Sequence, residues 1–460
     1  MIQRLGNALS RFAGRWVPDP FVLAILLTLL TFALAAAVMG TDVVASVDFW
    51  GGSLGDGKVA KQGVWKFLSF GMMMCLVLVT GHALANAKPM RLMIRGLADR
   101  PKTPTQAVVL TALCAMVCGF LNWGLGLIVG ALIARDIALS AQRRGVRVHY
   151  PLLAASGYTG LMVWHGGLSG SAPMTITQTA TAQKVLGKGV ELPEIPLSET
   201  LFSPMNIAVS IAVLVFVPWL LSKMAPASEN VVEIDPTRFS EGQGEDEFEE
   251  TGSGPAAWLN RSPILGWALA AVVFGYLGLY VAEIGVGKVD LNFINLLFLG
   301  LGLAIYGRPA AYAKAIGEAT SGCSGIILQF PIYAGIMAVM VQSGLVQEIA
   351  LLIQSVATPE SYGAFTFVSA GGVNLFVPSG GGQFGVQGPV VVQAATELGV
   401  PYGKAIMAFA YGDQWTNMLQ PFWALPLLGI TKLKASQIIG YTAALMLLVA
   451  PIYLIALSVF

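Results

Sequence analysis

The 460-residue chain is 55% hydrophobic and only 11% charged, with a formal net charge of +1; soluble globular proteins carry about a quarter charged residues. Such a composition excludes a soluble domain and makes lipid the solvent for most of the chain, and with no basic excess no nucleic acid partner is expected. The four cysteines, Cys75, Cys114, Cys118 and Cys323, all lie in apolar runs without metal-ligand spacing, so they read as small buried hydrophobes and no metal site is expected.

Residues 1–19 predict an interfacial amphipathic helix, with Ile2, Leu5, Leu9, Phe12 and Trp16 on one face and Arg4, Arg11 and Arg15 on another. The apolar run Phe21 to Gly40 follows, and about 20 residues suit one crossing of a bilayer core ~30 Å thick. The leader ends Trp16-Val17-Pro18-Asp19-Pro20, unlike the short basic start of a signal peptide, so the span is read as retained. Lys and Arg accumulate on the cytoplasmic side, which places the N-terminus inside. Val64 to Ala85 returns the chain to a loop bearing Lys88, Arg91, Arg95, Arg100 and Lys102.

Thr105 to Ala134 is an apolar interval of 30 residues with basic loops at both ends. Two full crossings need about 40 residues, and the centre reads Asn122-Trp123-Gly124-Leu125-Gly126, a poor helix interior; a re-entrant hairpin is expected. Tyr150 to Ala180 then crosses outward, interrupted at Ser156-Gly157 and across His165 to Pro173, which predicts a broken helix. Leu201 to Lys223 returns inward. Residues 224–262 are acidic and rich in Gly, Ser and Pro, the composition of a cytoplasmic tether.

A connecting helix over 263–288 leads to a second set of elements. Val289 to Tyr306 and Glu318 to Val341 are spans, the latter interrupted at Gln329-Phe330-Pro331-Ile332-Tyr333, either as a break whose carbonyls face the cavity or as a kink that serves only packing. A second hairpin, Tyr362 to Glu397, centres on Pro378-Ser379-Gly380-Gly381-Gly382-Gln383-Phe384-Gly385, and a second broken crossing runs from Lys404 to Ile430. Ser436 to Phe460 exits, leaving the C-terminus periplasmic. Asn122 and Gly157 recur as Asn374 and Gly412 at nearly constant separation, and the two hairpins enter from opposite sides. The expected fold is an all-α polytopic membrane protein with an inverted repeat, 20–223 against 289–460, containing two re-entrant hairpins and two broken transmembrane helices, the architecture of secondary transporters.

Glycine-rich backbone at membrane depth is tolerated where it lines a polar cavity, and broken helices present free amides whose positive dipole ends attract carboxylates. The candidate substrate-binding residues are Asn122, Trp123, Gly124, His165, Ser169 and Ser171 in the first half. In the second they are Asn374, Ser379, Gly380, Gly381, Gly382, Gln383, Gln414 and Asn417. No Lys or Arg lies between Tyr150 and Ala180 or between Ala405 and Thr431, which suits a small anion of low charge. Asp413, an acid inside an apolar crossing, is the chief coupling-ion candidate; it can take a proton or ligate Na⁺, or cap a half-helix or pair with a neighbour. His82 and His165 are weaker candidates for proton handling, with hydrogen-bonded scaffolding the alternative for each. No cofactor is expected beyond Na⁺ as one choice of coupling ion. The glycine run lacks the Lys-Ser/Thr of a phosphate loop, and neither a His-Glu-x-x-His motif nor a base beside Ser379 points to an enzyme.

The stretches Arg15-Trp16-Val17-Pro18-Asp19-Pro20, Val79-Thr80-Gly81-His82-Ala83-Leu84-Ala85, Asn122-Trp123-Gly124-Leu125-Gly126-Leu127, Val377 to Gly382, Ala410 to Trp415 and Gln420 to Pro426 together resemble the bacterial short-chain fatty acid transporter family, the acetoacetate and butyrate permeases, over nearly the whole chain. The resemblance implies uptake of short-chain monocarboxylates across the bacterial inner membrane. It also implies distant kinship with the ion-transporter superfamily of dicarboxylate and citrate carriers, which typically couple to cations and often form homodimers. A C4-dicarboxylate or amino-acid-like anion is the alternative substrate.

Overall fold

The computed structural model describes residues 15, 18–54, 63–177, 179–186, 193–239, 254–285 and 291–460. Nearly all of the expected N-terminal amphipathic helix and the acidic centre of the tether, 240–253, lie outside the described residues. Among the described residues the regular structure is helical, and eight helices are long and apolar enough to cross a bilayer.

Helix α1 (Pro20–Met39) starts where the Asp19 carboxylate accepts the Phe21 amide at 2.9 Å, and stops at Gly40, whose φ of +66° turns the chain into the left-handed region. Helices α2 (Val43–Gly51) and α3 (Leu68–Asn86) follow. The basic loop contains a helix of its own, α4 (Lys88–Ala98). Beyond its C-terminal end Arg144 donates to the carbonyls of Pro101 at 2.7 Å and Ala98 at 3.3 Å, supplying partners that the last carbonyls of a helix lack.

The first hairpin is α5 (Pro104–Leu121) and α6 (Trp123–Arg143), with Asn122 alone between them. Asn122 Oδ1 caps α6 by accepting the Leu125 amide at 3.1 Å. The arms touch backbone to backbone, since a Cβ on Gly126 would collide with Gly119 and the Ala115 carbonyl. Helix α6 does not end near Ala134 but carries Arg135 and Asp136, paired at 2.8 Å, inside its length. The arms are 18 and 21 residues long, so the residue count that favoured a re-entrant hairpin over two crossings does not hold; each arm is long enough to cross.

The first broken helix consists of α7 (Tyr150–Gly157), a 3₁₀ turn at Thr159–Met162, irregular backbone to Gly170, α8 (Ser171–Thr175) and α9 (Thr179–Leu186). Helix α10 (Pro204–Ser222) leads to the start of the tether, which is docked rather than free. The Val232 amide donates to His149 Nδ1 at 3.0 Å, its carbonyl accepts the Tyr150 amide at 2.8 Å, and Ile234 is buried. Arg147 pairs with Glu233 at 2.9 Å across this seam.

Next come α11 (Pro255–Arg261), α12 (Pro263–Ile284), α13 (Leu291–Tyr306), α14 (Pro309–Ala319), α15 (Ser324–Gln342) and α16 (Leu345–Gln354). Helix α12 exposes Ile264, Trp267, Val272 and Leu279, as expected of a helix facing lipid. No break falls at Gln329 to Tyr333: α15 runs through Pro331. Proline removes one hydrogen bond and strains the turn before it, but the surrounding burial holds the helix together.

The second hairpin, α17 (Tyr362–Asn374) and α18 (Gly380–Leu398), precedes the second broken helix, α19 (Tyr402–Thr416), a 3₁₀ turn at Asn417–Leu419 and α20 (Pro421–Thr431). Helix α21 (Ala435–Val459) closes the fold. The second break falls at Asn417 to Gln420, inside the expected crossing from Lys404 to Ile430, and Gly412 sits in regular helix. Gly412 serves close approach instead: a Cβ there would collide with the Phe367 carbonyl of α17.

Candidate functional site

The two broken helices meet at a buried polar junction. Irregular backbone after Met162 delivers His165, and the last turns of α19 deliver Asp413 and Gln414. His165 Nε2 accepts the Ala172 amide at 3.1 Å, which puts the imidazole proton on Nδ1, where it is donated to Asp413 Oδ2 at 2.7 Å. The side chains are 0% and 1% exposed. The Gln414 Oε1 oxygen accepts the His165 amide at 3.0 Å and the Gly166 amide at 3.3 Å, so Asp413 and Gln414 each commit one oxygen to the opposite break.

The tip of the second hairpin rests on this pair. Trp164 stacks on His165 with ring centres 4.3 Å apart, and a Cβ on Gly380 would stand 2.6 Å from the indole and 3.0 Å from the imidazole. Gly381 lies against Ser171 and is exposed, whereas Gly380 is buried, so one glycine separates the pair from the outside of the cluster. Ser379 Oγ caps α18 by accepting the Gly382 amide at 3.2 Å. Gln383 Nε2 is turned back into the hairpin, to the Ala370 carbonyl at 2.8 Å and Gln387 Oε1 at 3.0 Å.

Each hairpin tip is tied to the broken helix of its own half. The Trp123 amide donates to Ser169 Oγ at 3.0 Å, while Asn374 Nδ2 lies 2.9 Å from the Asp413 carbonyl, 3.0 Å from Thr416 Oγ1 and 2.9 Å from Asn417 Oδ1. Gly124 follows Trp123 in the first turn of α6. Besides the Asn374–Asn417 pair, two sets of predicted residues therefore form. One gathers His165, Ser171, Gly380, Gly381, Asp413 and Gln414; the other, at the first tip, gathers Trp123 and Ser169. His82 lies half-buried on α3, on the turn where Gly81 packs against Ile128 and Phe298, and does not take part in the His165–Asp413 pair.

Several residues of the junction escape a reading of the sequence. The Tyr158 hydroxyl reaches the Asn417 carbonyl at 2.9 Å and the Gln420 carbonyl at 3.0 Å, Tyr453 reaches the Met162 carbonyl at 2.8 Å, and Asn206 Nδ2 the Gly166 carbonyl at 2.8 Å. The backbone that each break leaves without a helical partner is thus satisfied by side chains from elsewhere. Tyrosines in apolar runs carry no mark of that task.

Not every polar atom finds a partner. Asp413 Oδ1, Asn374 Oδ1, Gln383 Oε1, Gln420 Oε1, Asn417 Nδ2 and Trp164 Nε1 are buried without one, at about 1–3 kcal/mol each if left so. A carboxylate against a neutral imidazole is still a buried net charge, which is costly until a cation joins it.

A polytopic α-helical membrane protein whose broken helices cross at a buried polar junction is organised as a membrane transporter. The family model described as short chain fatty acid transporter matches residues 1–460, and the chain belongs to that family. It is 39% identical over 464 residues to a protein of Escherichia coli (strain K12) named for short-chain fatty acid transport, covering 100% of both chains. A similarly named protein of Haemophilus influenzae is 37% identical over 459 residues, covering 99% of each. Among solved structures, the YdaH transporter of Alcanivorax borkumensis aligns with a TM-score of 0.43 at 16% identity, over 96% of this chain and 97% of that one. MtrF of Neisseria gonorrhoeae, described within a class of antimetabolite efflux pumps, aligns with a TM-score of 0.36 at 16% identity, over 98% and 95%.

Proposed function

We propose that this chain takes up short-chain monocarboxylates, butyrate and acetoacetate among them, across the bacterial inner membrane in symport with a proton held at the His165–Asp413 pair. The observation that carries the reading is that pair itself: buried, net negative with a neutral imidazole, its second carboxylate oxygen without a partner, and covered by a thin hairpin tip. A proton on Asp413 Oδ1 neutralises the site. In this reading His165 belongs to the coupling machinery rather than to the substrate.

The substrate carboxylate belongs at the N-terminus of α18, at the amides of Gly380 and Gly381, where the Trp164 indole packs against Gly380. At the first hairpin the corresponding amide, that of Trp123, is already taken by Ser169. The absence of Lys and Arg from 150–180 and 405–431, the central stretches of the two broken helices, supports a monocarboxylate over a dicarboxylate. The reading is a carrier and not an enzyme, in an inverted repeat with the N-terminus cytoplasmic and the C-terminus periplasmic, working alone or as a homodimer.

Na⁺ is the second reading of the coupling ion, favoured by the unpartnered oxygens Asp413 Oδ1, Asn374 Oδ1 and Gln383 Oε1, the hard ligands that an alkali cation takes. Competition for labelled butyrate uptake in proteoliposomes tests the substrate class. Unlabelled acetoacetate should compete and succinate should not; stronger competition by succinate would replace the monocarboxylate with a C4-dicarboxylate.

A further inference from the structure

Aromatic side chains from four distant parts of the chain meet beside the first hairpin tip. Phe330 stacks on Phe422 with ring centres 4.0 Å apart, Phe70 stacks on Phe330 at 5.8 Å, and Trp123 meets Trp423 edge-on at 5.0 Å. Phe330, Phe422 and Trp423 are buried, while Phe70 and Trp123 are half-buried at its edge. Tyr333 stands edge-on to Phe422 at 5.3 Å. Its ring is fully buried, and its hydroxyl has no hydrogen-bond partner.

This cluster adjoins the polar junction along two elements. On α15, Tyr333 lies one turn, about 5.4 Å, from Met337, whose sulfur is 3.7 Å from where a Gly382 Cβ would stand. At the second break, Gln420 binds the Asn374 and Leu375 carbonyls, and Phe422 and Trp423 come two and three residues later. From the glycine tip, the order of residues along α15 is therefore Met337, Tyr333, whose hydroxyl has no partner, then Phe330 of the aromatic cluster.

We propose that this aromatic cluster is the tail subsite for the substrate and that the Tyr333 hydroxyl is its specificity determinant, donating to an oxygen on the third carbon of a four-carbon acid. The inference rests on the monocarboxylate reading above, with the carboxylate at Gly380 and Gly381. A buried hydroxyl without a partner is costly, and a site built to bond a substrate oxygen rejects the analogue that lacks it far better than an apolar pocket rejects an added group. An acid with an oxo group at carbon three satisfies Tyr333; a plain alkanoate of the same length leaves it bare. The rings receive the terminal methyl in both cases.

Labelled acetoacetate and butyrate, equal in length, are the probes, with wild-type and Tyr333→Phe protein in proteoliposomes. The wild type should prefer acetoacetate. Tyr333→Phe should lower kcat/KM for acetoacetate about ten-fold, the worth of one buried hydrogen bond, and leave butyrate uptake at the wild-type level, which also reports a folded carrier. An equal fall for both acids, or an unchanged ratio, overturns the assignment while leaving the transport reading intact. Failure of the wild type to carry either acid overturns both.

Discussion

Asp413→Asn removes a negative charge and keeps the shape of the side chain. In the native site Oδ2 takes the His165 Nδ1 proton at 2.7 Å and Oδ1 has no partner. The asparagine amide oxygen can accept the same proton, so a charge-assisted bond of about 1.5–3 kcal/mol gives way to a neutral one of about 0.5–1.5 kcal/mol. Against this loss of roughly 1 kcal/mol stands the relief from burying a carboxylate in a 1% exposed site, which works in the opposite direction. The variant should fold and bind substrate. It no longer holds the group that changes charge when a proton arrives, so uptake separates from the gradient. In proteoliposomes with the outside acid, the variant should fail to concentrate labelled butyrate, while exchange of internal for external butyrate continues. Concentrative uptake of wild-type size by Asp413→Asn at several pH values would refute the argument; loss of exchange together with accumulation would make Asp413 a binding or structural residue.

Two glycines, one on α19 and one on α17, should respond oppositely to alanine. Gly412→Ala drives a Cβ into the Phe367 carbonyl and to 2.9 Å from Ala370 Cβ, and should lower stability by about 1–3 kcal/mol or more; Gly372 has open space, so Gly372→Ala should be neutral or stabilising by about 0.5–1 kcal/mol. Thermal unfolding in detergent compares them, and equal melting temperatures would contradict the packing described. The tether docking should be acid-sensitive. Burial pushes His149 down to about 4, below its ordinary value, and its Nδ1 must stay unprotonated to accept the Val232 amide. The contribution is therefore complete above about pH 6.5 and lost as pH falls toward 4; the Arg147–Glu233 and Asp235–Arg238 pairs lie along the same docked segment. Hydrogen exchange at Val232 should quicken between pH 7 and 5 after correction for intrinsic rates; unchanged protection would remove His149 from the seam.

Helix type, the hairpins and the first break were legible because Asn, Gly and Ser interrupt apolar runs where no continuous helix tolerates them, and because an acid such as Asp413 stands out against such a background. The same rule overextends the second break back to Gly412 and leaves a break and a packing kink equally open at Pro331, where the helix runs on. Glycine in a packed bundle marks a close backbone approach as readily as a break, and one proline removes only one bond of a helix that burial supports. The length of the first hairpin was misjudged because Arg135 looked like an end, whereas its pairing with Asp136 lets the helix carry it. The His165–Asp413 pair joins positions 248 residues apart, and the aromatic cluster draws on Phe70, Trp123, Phe330 and Phe422. Local patterns cannot report such meetings. Tyr158, Tyr333 and Asn206 looked like ordinary core or span residues until the fold showed which carbonyls they face, or that they face none.

In the proposed cycle, substrate movement is tied to the proton at the junction of the two broken helices. The most direct test is labelled butyrate uptake by the wild-type protein in proteoliposomes under an imposed proton gradient, an imposed Na⁺ gradient, or neither. Butyrate should accumulate above the external concentration with the proton gradient, collapsing when a protonophore is added. Accumulation driven by Na⁺ alone would move the coupling to the oxygen-rich cluster around Asn374, and no concentrative uptake under either gradient would rule out coupled transport.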